Sequence, residues 1–133
     1  MNEESMRERF KGRLEEEEFL RSQLSVTEAD YRDSVIALVK LARGDTSGGR
    51  AAAQVLLSLY NGSAWHADLT DLCVLDLQNL EHALIAIRGR VVLGKEPQSL
   101  IDKGTQVFEE LCDLWKSLNT WERYAAKYRD ADR

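Results

Sequence analysis

The chain of 133 residues is 44% hydrophobic and 31% charged, with one proline and two cysteines, which suits a single domain able to bury a core without disulfide or metal staples. Its 18 Lys and Arg against 23 Asp and Glu leave a net charge of -5, opposite to the basic footprint of a protein that neutralises phosphates, so no direct contact with nucleic acid is expected. The uncharged runs are too short to span a bilayer and the N-terminus has no apolar signal core, which points to a soluble cytoplasmic protein without a membrane partner.

The periodicity is helical almost throughout, and no stretch shows the strict alternation of a half-buried strand. Residues 2–22, rich in Glu and Arg, set Met6, Phe10 and Leu14 four apart on a solvated helix. The expectation there is a charged helical arm, residues 1–26, ahead of one helical domain, residues 27–133. Its acidic run Glu15 to Glu18 is offset by Arg7, Arg9, Lys11, Arg13 and Arg21, many of them at helix-pairing spacings.

Thr27 opens the next helix, whose apolar face is Tyr31, Val35, Leu38, Val39 and Ala42, and Gly44 closes it. Asp45, Thr46 and Ser47 offer caps for a helix with Ala52, Val55, Leu56, Leu59 and Tyr60 on one face, closed by Asn61-Gly62. From Ser63 to Asp76 the pattern supports only a short helical turn. Asp76 caps a helix carrying Leu77, Leu80, Leu84, Ile87 and Val91, apolar enough for the centre of a bundle. Pro97 then sits in a first helical turn, and one helix is expected through Leu100, Val107, Leu111, Leu114 and Leu118, with Phe108, Cys112 and Trp115 on an adjoining strip. Asn119-Thr120 interrupts or re-caps it before Trp121, Tyr124, Ala125 and Tyr128. The fold class is all-α: a compact bundle of about five helices with the N-terminal arm.

Cys73 and Cys112 lie in apolar contexts and are expected as free thiols in the core. With His66 and His82 they lack the short paired spacings of a zinc site, and neither is surrounded by a nucleophile motif. Gly44 to Arg50 has the small residues of an anion loop but follows a helix and lacks the lysine, so it reads as a helix-helix turn. Asp68, Asp71 and Asp76 suit helix capping better than a cation site, with partner contact as the other use. No catalytic set, metal site or cofactor is expected.

Trp121, Tyr124 and Tyr128 with Arg123, Lys127 and Arg129 form an aromatic and basic strip on an otherwise acidic chain, a composition favoured at interface anchors, although a last helix packed on the bundle would also carry it. Partner contact is accordingly sought at Trp121, Arg123, Tyr124 and Tyr128, and at Asp68 and Asp71.

The order of landmarks from about Ala37 to Leu118 is Leu41-Ala42-Arg43-Gly44-Asp45-Thr46, a small-residue helix ending in Leu59-Tyr60-Asn61, Asp68-Leu69-Thr70-Asp71-Leu72, and Asp76 opening a helix. This resembles an uncharacterised family of small proteins carried on proteobacterial mobile genetic elements such as conjugative elements, plasmids and prophages. Where that family has an aromatic after the Asp-Leu-Thr-Asp-Leu run, this chain has Cys73. The resemblance implies no activity. The expected function is that of a non-enzymatic accessory factor binding another protein or a second copy of itself, with the arm or the last helix supplying the contact. The alternatives are an inhibitor of a host defence complex, anti-CRISPR-like, acting through an acidic surface, and a small enzyme or metal-binding protein using Cys73 or Asp68 and Asp71.

Overall fold

The computed structural model describes residues 2–131. Among the described residues there are six α-helices and no strand: α1 (Glu3–Leu24), α2 (Glu28–Ala42), α3 (Ser47–Tyr60), α4 (Leu77–Arg88), α5 (Gly104–Leu114) and α6 (Thr120–Ala131). The all-α bundle with a charged N-terminal helix is therefore the observed architecture. Local chemistry starts α2, α3 and α4 where it was expected to. Thr27 accepts the Asp30 amide at 3.1 Å and Asp76 the Asn79 amide at 2.8 Å, while Thr46 takes the Gly49 amide at 2.9 Å to open α3.

The centre of the bundle is α3 and not α4. Gly49, Ala51 to Ala53 and Gln54 to Leu57 are all buried, because a helix start built of glycine and alanine lets neighbours close in from every side. Against it pack Leu38, Val39 and Ala42 of α2, Phe108 and Leu111 of α5, and Leu100, Trp115 and Leu118 from the flanking turns.

Of the face expected at the core in α4, Leu80 and Ile87 pack against it half-buried, whereas Leu77 is 83% exposed and Leu84 and Val91 are also exposed. The buried residues are the small ones, Ala83, Ala86 and then Gly89 in the π-helical turn Gly89–Leu93 that extends α4. Small residues three apart let α4 lie directly on α2, and this close approach outweighs burial of the larger side chains. The Tyr31 ring, fully buried, sits on the Gly89 backbone: a methyl there would overlap the ring, coming within 2.6 Å of Cδ1. Tyr31 also donates its hydroxyl to the Lys95 carbonyl at 2.8 Å, and burial pushes its pKa up to about 12. Ser34, buried on α2, meets His82 Nδ1 at 3.0 Å, so the histidine sits at the core boundary as expected.

The single helix expected from Pro97 to Leu118 is three pieces: a 3₁₀ turn Pro97–Leu100, α5, and a second 3₁₀ turn Lys116–Leu118. The first break falls at Ile101 to Lys103, where Ile101 is extended and Lys103 is left-handed at φ 53°. Gly104 permits the kink, since a Cβ there would run into the Gln98 carbonyl. Leu114, expected on the apolar face, is exposed although it still lies within α5.

The 95–100 strap is tied back to α2 three times. Besides the Tyr31 bond, Arg32 Nε donates to the Leu100 carbonyl at 2.9 Å and Lys95 pairs with Glu28 at 2.9 Å, which holds the Glu28 carboxyl below the usual carboxylate range. Trp115 donates its indole N–H to the Ala42 carbonyl at 2.7 Å, satisfying a group that the end of α2 leaves open.

Helix α1 stands apart in character: it buries none of its residues. The cysteines also depart from expectation. Cys73 is exposed and Cys112 only half-buried, its thiol pushed up by burial and then by the Asp113 and Glu109 charges. The turn Leu69–Val74 that carries Cys73 lies across the surface of α3, which leaves its apolar side chains partly in solvent.

Candidate functional site

Helix α6 is aimed by a short set of backbone ties. Thr120 N–H donates to the Ala64 carbonyl at 2.9 Å, and the Thr120 hydroxyl bonds the same oxygen at 3.1 Å. One residue earlier, Asn119 makes an isolated antiparallel bridge with Trp65, while its side-chain oxygen accepts the Trp121 amide at 2.9 Å. Asn119-Thr120 thus re-caps the chain for a new helix, one of the two expected outcomes. Trp65, only 6% exposed, belongs to the core although no apolar stripe marks it in sequence.

The α6 side chains that follow do not pack on the bundle. Trp121 is 74% exposed, and Tyr124 and Tyr128 are each 57% exposed. Spacings of three and four put them on one helical face. The two tyrosines support each other, with ring centroids 4.7 Å apart in an edge-on arrangement and a 3.0 Å hydrogen bond from the Tyr124 hydroxyl to that of Tyr128. That bond raises the Tyr124 pKa. A recess of about 320 Å³ opens at the base of this face, lined by Ser63, Thr120, Trp121 and Tyr124. A second, of about 380 Å³, lies on its basic side between His66, Thr120, Arg123, Tyr124 and Lys127. Both are open grooves rather than closed cavities.

Of the acidic candidates, Asp68 joins this surface: its carboxylate lies 3.6 Å from Arg123 Nη2, across the gap between the Leu69–Val74 turn and α6. Asp71 does not. Its Oδ2 accepts from Gln54 Nε2 at 2.7 Å and lies 3.9 Å from Arg50 Nε, both on α3. Gln54, buried to 3% exposure, takes the Asp68 amide with its other end at 2.8 Å, so one amide side chain clamps both ends of the Asp68-to-Asp71 step. Neither aspartate caps a helix amide, and the capping reading is corrected for these two while it holds for Asp76.

Ser63, His66, Thr120 and Lys127 complete the surface. A signal for Thr120 was present in sequence, as part of the re-capping pair; nothing short-range connects Ser63 and His66 to a helix almost 60 positions later. Among the described residues no cluster of three or more His, Cys, Asp or Glu is placed to hold a metal ion, and no helix is long and apolar enough to cross a membrane.

One family model matches the chain, over residues 32–116, more than half its length; it is described as a family of unknown function (DUF7673). No curated protein and no solved structure matches. The matched span runs from within the first turns of α2 to just past the end of α5, and leaves α1 and α6 outside it.

Proposed function

The chain belongs to this family of unknown function (DUF7673), and from that footing we propose a non-enzymatic, cytoplasmic accessory factor, encoded by a mobile genetic element, that binds another protein through the face of α6. The observation that carries the reading is the exposure of Trp121, Tyr124 and Tyr128 side by side on a helix whose start is fixed to the body. A contiguous aromatic patch on a protein surface is costly to leave in water and marks an interaction site. Aromatic rings lose little side-chain entropy on binding, which makes them efficient anchors. Arg123, Lys127 and Arg129 edge the patch on a chain of net charge -5, so the fitting partner presents apolar pockets rimmed by carboxylates.

The test is capture from the native host with the tagged full chain, wild type against Trp121→Ala and Tyr124→Ala. A species retained by the wild type and by a control with the exposed α2 residue changed, Lys40→Glu, and lost from both α6 variants, supports the reading. Retention that ignores both aromatic substitutions refutes it. Loss only on reversing Glu15 to Glu18 would transfer the case to an inhibitor acting through an acidic surface.

A further inference from the structure

Helix α1 has 22 residues, about 33 Å of helix at 1.5 Å per residue, and none of them is buried. In proteins most of a helix's stability comes from packing one face, and α1 has no such packing within the chain. It carries the means for such packing: Met6, Phe10, Leu20 and Leu24 are each more than half exposed. At 3.6 residues per turn these four lie along one side, with Arg13 and Glu17 between them. The six positions 6, 10, 13, 17, 20 and 24 follow one another at steps of four and three, the seam spacing of a coiled coil.

This seam is symmetric about residue 15. Reversed, it places Met6 opposite Leu24, Phe10 opposite Leu20 and Arg13 opposite Glu17. We propose that α1 pairs antiparallel with α1 of a second copy of this chain, in the register centred on Glu15. Each of the four apolar residues then meets an apolar residue, and the two central charges meet their opposites twice over. A parallel pair would set Arg13 on Arg13 and Glu17 on Glu17. The flanks favour the same direction: residues 7–13 hold four bases and one acid, residues 15–21 four acids and one base, so reversal lays basic half over acidic half. Leu14 meets Leu14 at the middle of one flank. Two like contacts oppose this register, Glu16 with Glu16 and Arg7 with Arg21 of the second copy, and the second is moderated by Glu17, already 3.2 Å from Arg21. The pairing uses no residue of α6 and stands independently of the proposed function.

Analytical ultracentrifugation of the full chain across a micromolar concentration range tests it. The wild type is expected at twice the protomer mass. Arg13→Glu alone and Glu17→Arg alone should each weaken association at least tenfold, since each sets like charges together at both equivalent positions. The double swap Arg13→Glu/Glu17→Arg restores the pairs and should restore the dimer. Circular dichroism of the three variants establishes that α1 remains helical. For direction, spin labels go on single cysteines, Glu8→Cys or Glu15→Cys, in a background without Cys73 and Cys112. The antiparallel pair separates the labels at position 8 by an axial offset of about 21 Å and brings those at 15 level. A monomer at every concentration, a dimer indifferent to the single reversals, a double swap that fails to rescue, or equal label distances at 8 and 15 each overturns the proposal. A dimer lost on Trp121→Ala and kept in the charge variants would move self-association to α6.

Discussion

Gly89→Ala sets two well-characterised effects against each other. Gly89 has helical angles, φ -58° and ψ -45°, and at an open helical site alanine is favoured over glycine by about 0.5–1 kcal/mol. Here the added methyl would lie within 2.6 Å of Tyr31 Cδ1, about 1 Å inside ordinary carbon contact, and nearer still to other ring atoms. The ring has nowhere to go, being fully buried and fastened at its far end to the Lys95 carbonyl. Overpacking of this kind costs about 1–3 kcal/mol, and withdrawal of the ring would add the lost hydrogen bond, about 1 kcal/mol. After the helix-propensity gain is subtracted, a net loss of about 1–3.5 kcal/mol is expected. Urea unfolding followed by circular dichroism should show a lower midpoint with unchanged slope. In a Tyr31→Ala background the same glycine substitution should become neutral or stabilising, and the difference between backgrounds is the coupling. Should Gly89→Ala equal or exceed the wild type in stability, the close packing of α4 on α2 through this glycine is wrong.

Gln54→Leu keeps the volume of the buried side chain and leaves both the Asp68 amide and the Asp71 carboxylate without it, so a loss of about 2–3 kcal/mol is expected by the same unfolding assay. Trp121→Ala and Tyr124→Ala, on an exposed face, should each alter stability by less than about 0.5 kcal/mol, which separates a binding defect from a folding one. The Tyr31 hydroxyl gives an alkaline dependence. Its pKa is raised in the folded state, from 10 to about 12, so its contribution is complete below pH 10 and is lost as the pH climbs toward 12. The loss should reach roughly 2 kcal/mol by pH 12 and be missing from the profile of Tyr31→Phe.

The helix starts were legible because a cap acts within three residues: Thr27 and Asp76 each find an amide that the sequence places beside them. The ranking of the helices was not. Counting large aliphatic side chains favours α4 for the centre, whereas depth goes to the helix whose alanines and glycine permit the closest approach, and that depends on neighbours far along the chain. The same limit hid the clamp, since Gln54 sits on an apolar helix with partners 14 and 17 positions away. The break before α5 rests on contact between Gly104 and Gln98, which periodicity does not register. On the surface the balance reverses. The aromatic strip of α6 was readable as a pattern, and only its exposure needed coordinates; Asp68 was placed beside it by an ion pair with Arg123 and Asp71 was drawn off to α3.

The three tryptophans divide the molecule's fluorescence between two duties. Trp65 and Trp115 emit from the interior, the latter with its indole N–H bound to the Ala42 carbonyl, whereas Trp121 emits from the solvent face of α6. Iodide should therefore quench one component and spare the other two. Occupation of the α6 face would shift the quenchable component to shorter wavelength without touching the protected pair, and unfolding would shift the protected pair to longer wavelength. The chain thus carries its own optical readout for telling engagement of a partner from loss of the fold.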